Sequence, residues 1–310
     1  MSIDPRLGRV GSSTHGKGLN VQDITVLKQA LPYIQRFKGT TFVVKFGGEA
    51  MVDPEVLDRL IGDVTLLHLV GVKVVVVHGG GKQITDLADQ MGIESRFVGG
   101  RRVTDKALLD ALKMVLAGKM SIEILSMLKK HGVKAMGVSG VAAGVIEARR
   151  RPPTRVSGSG DEVVDFGEVG DIERIDTRLI RLLLSEGYLP VLSPLGADAE
   201  GNVLNINADT VAAHVAAELN AEKLVLMTTT PGVMMDLKDS TSLISRLTAA
   251  QAREAIEKRI VQGGMIPKVE EALHALERGC GQVHILSAIE PHQILLEAFT
   301  ESGCGTMIVP

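Results

Sequence analysis

Three stretches hold the residues whose types and spacing could do chemistry. Lys45 is followed by Phe46, Gly47 and Gly48; His78 by the triplet Gly79-Gly80-Gly81; and Gly263-Gly264-Met265-Ile266-Pro267 leads to Lys268. Glycines between a strand and a helix let backbone N–H groups converge on an anion, and the helix dipole favours negative charge there. A tight turn uses the same glycines, so the triplet alone leaves both readings open. Lys45 lies in a short apolar run, where an unpaired charge is costly, so it needs an anionic partner or an exit to solvent. Phosphate would meet that need. Lys268 falls in the first turn of a predicted helix, the unfavourable end for a cation unless it faces an anionic ligand. Two separated lysines could then stabilise charge on a transferring phosphoryl group. Two commoner phosphate signatures fail: the third glycine of G-x-G-x-x-G would fall where Ile84 stands, and Gly81-Lys82 is followed by Gln83 instead of Ser or Thr. A nicotinamide dehydrogenase and a P-loop nucleotide hydrolase are both disfavoured.

These residues need a scaffold, and the chain alternates strand and helix signals. Apolar runs predict strands over 41–46, 72–77, 133–138, 189–193, 223–228, 282–287 and 305–309. Helical spacing predicts helices over 83–91, 106–130, 177–186, 208–219, 248–258, 267–278 and 291–300. Thr248 with Gln251 reads as a capping box, and Pro267 suits a first helical turn. Such alternation predicts an α/β fold, an open αβα sandwich with a mainly parallel central sheet. Ligands of such sheets bind at the carboxyl ends of the strands, where both glycine loops lie.

Ahead of the first strand, Asp23 is the expected N-cap of a helix with Ile24, Leu27, Leu31 and Ile34 on one stripe, kinked at Pro32 and stopped by Gly39. It is either an amphipathic helix lying on its own domain or an arm packing on another subunit. Residues 1–20 lack an apolar segment of signal-peptide type and read as a mobile tail. Arg149-Arg150-Arg151-Pro152-Pro153 and Ser157-Gly158-Ser159-Gly160 predict an exposed hairpin or loop, its charge either solvated or phosphate-binding.

Composition removes other classes. Of 310 residues, 45% are hydrophobic and 23% charged, which is a globular balance. The net charge of −3 and the eight aromatics, six Phe and two Tyr, argue against a nucleic-acid partner. No run reaches the roughly 18 apolar residues of a membrane span. Two cysteines without zinc spacing predict a cytoplasmic protein with no structural metal.

The chain resembles the amino-acid kinase family in Val44-Lys45-Phe46-Gly47-Gly48, His78-Gly79-Gly80-Gly81, Arg102-Val103-Thr104-Asp105, Leu116-Ala117-Gly118-Lys119, Asn205-Ile206-Asn207-Ala208-Asp209 and Gly263-Gly264-Met265-Ile266-Pro267-Lys268, met in the family's order. Within it, the chain is similar to the branch that phosphorylates the side-chain carboxylate of N-acetyl-L-glutamate. The resemblance implies ATP with Mg²⁺ riding on its phosphates, Lys45 and Lys268 as transition-state stabilisers, and Asp209 organising both lysines. For Asp209 a plain helix N-cap is the alternative. Gly48, Gly80 and Gly81 would donate backbone hydrogen bonds, Arg102 would bind a substrate carboxylate, and Asn205 would hold the acetylamino group. Thr229, Gly232, Gly264 and Met265 fall where the family contacts ATP.

The N-terminal helix resembles that of arginine-inhibited members, in which such helices interlace dimers into a hexamer. Tyr33, His284, Glu297 and Gly303 are by that resemblance candidates for binding L-arginine; for His284 alone a satisfied core histidine is the alternative. The implied division is an arm over 1–38, an acceptor-binding and dimer-forming lobe over 39–220, and a nucleotide and effector lobe over 221–310. The chain departs from the family at Thr229, where Asp is usual, at Val141-Ala142-Ala143, at Ser121-Ile122 and at Arg101. Thr229 and the 141–143 segment motivate one rival, a regulator that keeps the fold and an arginine site without catalysis; a second is a sibling kinase acting on another small carboxylate or phosphate.

Overall fold

Strand β1 (Thr41–Phe46) settles the side on which the first lysine emerges. Successive side chains alternate, so Phe42, Val44 and Phe46 enter one apolar layer while Val43 enters the other, and Lys45 follows Val43. The computed structural model describes residues 21–155, 163–236, 239, 241–300 and 303–310. The expected tail over 1–20 and the Ser157-to-Gly160 segment lie outside them.

The other strands are β2 (Lys73–His78), β3 (Phe97–Val98), β4 (Arg101–Arg102), β5 (Ala135–Ser139), β6 (Ile146–Arg150), β7 (Gly170–Ile175), β8 (Leu189–Ser193), β9 (Leu195–Ala197), β10 (Val203–Asn205), β11 (Lys223–Thr228), β12 (Arg246–Thr248), β13 (Gln282–Ser287) and β14 (Thr306–Val309). The helices are α1 (Val21–Phe37), α2 (Pro54–Leu69), α3 (Gly81–Gln90), α4 (Lys106–Lys113), α5 (Ser121–Lys130), α6 (Arg178–Ser185), α7 (Ala208–Leu219), α8 (Ala249–Glu257), α9 (Met265–Glu277) and α10 (Gln293–Phe299).

An eight-stranded sheet of order β12-β14-β13-β11-β1-β2-β8-β5 forms the middle layer and runs through both expected lobes. Six strands are parallel; β14 opposes β13, and β12 follows β14. Val74 to Val77 are fully buried, as a parallel sheet covered on both faces requires. Helices α6, α7, α8 and α9 close the Val43 face, while α2, α3, α4, α5 and α10 close the other. The expected αβα sandwich is therefore the observed one.

Several local features differ from expectation. Helix α1 already runs at Val21, so Asp23 is not its N-cap; Pro32 lies inside it, and Gly39 follows its end at φ +82°. Between α4 and α5, Met114–Met120 forms a π-helical stretch, a wider turn often found at functional positions. In a second sheet of order β10-β9-β6-β7, the antiparallel β6 and β7, with the Thr154–Val164 bridge beyond them, are the expected hairpin, whereas the short β9 and β10 carry no strand signal. The hairpin and the residues flanking it hold the basic cluster: Arg149 faces Glu173 at 3.9 Å, Arg150 meets both carboxylate oxygens of Asp165 at 3.0 Å, and Arg151 meets Asp171 at 2.7 Å. Arg149 and Arg150 are thus strand residues, each with an acidic neighbour and each still solvent-exposed.

Candidate active site

The parity of β1 turns Lys45 toward α7 and α9, which pack on that face. Asn207, not Asp209, caps α7, its Oδ1 accepting from the Asp209 backbone N–H at 2.7 Å. Released from capping, the Asp209 carboxylate meets Lys45 Nζ through Oδ1 and Lys268 Nζ through Oδ2, both at 2.7 Å. Lys268 stands in the first turn of α9, which Gly264 precedes. Side-chain exposure is 8% for Lys45, 9% for Asp209 and 18% for Lys268, so solvent screens little of this cluster. Burial works to raise the Asp209 pKa, but the two ammonium groups overcome it and hold the carboxyl at about 2. Burial lowers the Lys45 pKa, with Asp209 opposing and Lys268 assisting the fall. Two cations on one carboxylate leave one unit of positive charge unmatched, at the place where an anion would enter.

The two glycine loops touch beside this cluster. A Cβ on Gly48 would stand 2.6 Å from the Gly81 backbone nitrogen, which only glycine allows. Gly80 is held likewise: a Cβ there would reach Leu116 Cδ2, on the π-helical stretch, at 3.0 Å. A cleft of about 910 Å³ opens over Lys45, Gly48, Thr229, Gly264, Met265 and Lys268. A smaller recess of about 220 Å³ adjoins it, lined by Gly80, Gly81, Arg102, Asn205 and Asp209, and Lys45 borders both. Arg102 is oriented by Ser95 Oγ at 2.9 Å, the Gly81 carbonyl at 2.8 Å and Thr85 Oγ1 at 2.9 Å, with its guanidinium 4.5 Å from the Phe97 ring centre. Asn205 donates to buried Thr104 Oγ1 at 3.1 Å. Thr104 is fixed in turn by Gly167, at φ +73°, where a Cβ would strike the Thr104 carbonyl.

Gly232 lines neither cavity. A Cβ there would come within 2.6 Å of Thr306 Oγ1, so its place is set by packing on β14. Nor do the four effector candidates join the cleft. Buried His284 has Nδ1 2.9 Å from Glu297 Oε1 and Nε2 3.0 Å from Lys223 Nζ. A lysine ammonium can only donate, so Nε2 accepts and Nδ1 carries the proton. Burial would raise the Glu297 pKa, yet His284 and the Cys304 backbone N–H hold it at about 2. Gly303 adjoins Glu297 Oε2, and Tyr33 packs on the layer that contains α10. His284 is thus a partnered buried histidine, as its strand setting suggested. Lys223 escaped sequence reasoning, although a lysine in an apolar strand is the same anomaly that marks Lys45. Thr85 and Ser95, which aim Arg102, carry no sequence signal of their own.

The family model for the amino acid kinase family matches residues 40–287. An acetylglutamate kinase of Carboxydothermus hydrogenoformans is 44% identical over 285 residues, covering 92% of this chain and 97% of the relative. One from Methanocaldococcus jannaschii is 46% identical, covering 93% and 96%. Among solved structures, N-acetylglutamate synthase from Neisseria gonorrhoeae complexed with coenzyme A and N-acetyl-glutamate superposes with TM-score 0.80 at 28% identity. That match covers 93% of this chain but 63% of the synthase; the synthase complexed with coenzyme A and L-arginine gives TM-score 0.76 at 26% identity, covering 92% and 65%. A family match over most of the chain, with relatives above 40% identity along nearly their whole length, means that this chain belongs to the amino acid kinase family.

Proposed function

We propose that this chain transfers the γ-phosphoryl group of ATP to the side-chain carboxylate of N-acetyl-L-glutamate, giving N-acetyl-L-glutamyl 5-phosphate and ADP in arginine biosynthesis. The observation that carries the reading is the convergence of Lys45 and Lys268 on Asp209 where the cleft meets the recess. A carboxylate oxygen attacks the γ-phosphorus, the bond to the β-γ bridging oxygen breaks, and ADP leaves with the bond electrons. An acceptor carboxyl of pKa about 4 is already ionised at neutral pH, so no general base is required. What remains for the protein is alignment and charge neutralisation.

The recess suits the acceptor: Arg102 offers a planar fork for a carboxylate, and Asn205 an amide for the acetylamino group. The cleft suits the nucleotide, with Gly48, Thr229, Gly264 and Met265 along it and open space where a Cβ at Gly264 would stand. Mg²⁺ carried on the nucleotide phosphates would supply further charge neutralisation of the β and γ oxygens. Accordingly 39–220 would bind the acceptor and 221–310 most of the nucleotide.

Trapping the acyl phosphate with hydroxylamine, using purified protein, Mg-ATP and N-acetylglutamate, tests this. Hydroxamate should form only with all components present. Product solely with another carboxylate or phosphate acceptor would favour a sibling kinase; saturable arginine binding with no product would favour a regulator.

We also infer feedback inhibition by L-arginine at Tyr33, His284, Glu297 and Gly303. Supporting it are an ionised, half-buried Glu297 carboxylate suited to a guanidinium and the packing of α1 on α10. In the same assay arginine should inhibit the wild type and lose its effect in Glu297→Gln; equal inhibition of both would reject the site. A hexamer built as a trimer of dimers through the 1–38 arm is the assembly we propose, supported by Leu31 of α1 remaining 49% exposed. Sedimentation should give a hexamer that falls to a dimer when 1–38 is deleted, and a wild-type dimer would refute the arm's role. No helix among the described residues is long and apolar enough to cross a membrane; with Cys280 and Cys304 both free thiols, we place the enzyme in the cytoplasm.

A further inference from the structure

His78 ends β2 immediately before the glycine triplet and is fully buried. Its Nδ1 lies 3.1 Å from the Gly79 carbonyl oxygen, while Nε2 is buried without a partner among the described residues. A carbonyl oxygen can only accept, so the proton must sit on Nδ1. Burial lowers the ring's pKa to about 4, so the imidazole is neutral at pH 7 and Nε2 is a bare lone pair.

The consequence runs through one peptide plane. No cis peptide is present among the described residues, so the Gly79 carbonyl and the Gly80 N–H point in opposite directions across a rigid unit. Gly79 N–H is already bound, donating to the Phe46 carbonyl at 2.9 Å, whereas the Gly80 N–H meets no acceptor among the described residues. Gly80 lines the same recess as Lys45 and Arg102. We propose that His78 is a positioning residue for phosphoryl transfer: its Nδ1–H grips the Gly79 carbonyl and thereby aims the Gly80 N–H at the oxygens of the reacting groups. Glycine is the most permissive backbone, so an unrestrained triplet would wander; the histidine supplies the restraint that the glycines lack. An amide held in place before reaction costs no reorganisation during it, which is where such donors gain their effect.

This rests on the kinase reading, and its test separates the two. The asparagine amide nitrogen occupies the place of histidine Nδ1, whereas the glutamine amide reaches that of Nε2. His78→Asn should therefore keep near wild-type kcat, while His78→Gln and His78→Leu lose about 100-fold in kcat with little change in KM. Folded state is checked by the urea midpoint of each variant. Equal kcat in the Asn and Gln variants would overturn the proposal. Independently of any substrate, the ¹⁵N histidine spectrum of the wild-type protein should show His78 as the neutral Nδ1–H tautomer at pH 7, and an Nε2–H tautomer would also overturn it. If wild-type protein yields no acyl phosphate, the kinase reading fails while the tautomer measurement still decides the contact.

Discussion

Replacing either Lys45 or Lys268 with Met is expected to lower kcat on the order of 10²- to 10⁴-fold, with a much smaller change in KM for either substrate. Both ammonium groups are largely sheltered from water, and each already touches Asp209 at 2.7 Å. At 4 Å and the effective dielectric of a partly buried site, a unit charge contributes about 4 kcal/mol, or roughly a thousandfold in rate if it is felt only in the transition state. Methionine keeps the length and the apolar stem of lysine, so the loss reports charge and not packing. A control lies in the same cleft: exposed Lys82 lines the lip but pairs with Asp86 one helical turn away. Lys82→Met should change kcat little, because solvent screens that charge and a carboxylate already neutralises it. The split between kcat and KM decides the matter. A rise in KM at constant kcat would mean that the lysines bind substrate and transition state alike, and the assigned role would fall.

Why these lysines are visible in the sequence, and much of their setting is not, follows from what each signal measures. Lys45 stands out because charge inside an apolar strand is anomalous, and Lys268 because a cation in a first helical turn is. Both anomalies are local. The partner that resolves them, Asp209, is local only as a helix-start residue; its pairing with both lysines depends on α7 and α9 packing on one face of β1. The strands of the main sheet are legible because burial on both faces leaves continuous apolar runs, and 41–46, 189–193, 223–228 and 282–287 are the observed bounds. Strands β6 and β7 carry Glu147, Arg149, Arg150, Asp171, Glu173 and Arg174; Arg149 faces Glu173 and Arg174 pairs with Glu147 across the two strands, while Arg150 and Asp171 find their partners in Asp165 and Arg151 just outside them. Read along the chain such a charged pair gives the exposed hairpin or loop expected there, but not the strand bounds. Strands β9 and β10 have three residues each, too few for any periodicity to register. The π-helical stretch is hidden for a different reason: one widened turn leaves the apolar spacing of 106–130 nearly unchanged, while moving Leu116 against Gly80.

Removing the carboxylate that joins the two lysines should be the most damaging single change to stability. Asp209→Asn is expected to cost about 3–5 kcal/mol, because it leaves two buried ammonium groups facing each other without their shared anion. The Lys45 pKa, already lowered by burial, would fall further toward a neutral amine, so activity should fall together with stability. Urea unfolding at pH 7 measures the first effect, as a lower midpoint at unchanged slope. Acid supplies an internal check. Asp209 titrates at about 2 in the fold, below its ordinary 3.8, so the stability it confers is present above about pH 4 and lost as pH falls through about 2. The shift is worth on the order of 2 kcal/mol, and the gap between wild type and Asp209→Asn should narrow over that window. A third variant isolates the cause. Changing Asp209→Leu, Lys45→Met and Lys268→Met together removes every charge at once, and apolar replacement of a buried ion cluster is often neutral or stabilising. The triple variant should therefore be inactive yet more stable than Asp209→Asn. If instead Asp209→Asn unfolded at the wild-type midpoint, the cluster would not be shielded as its geometry requires, and the thousandfold argued for each lysine would lose its physical basis.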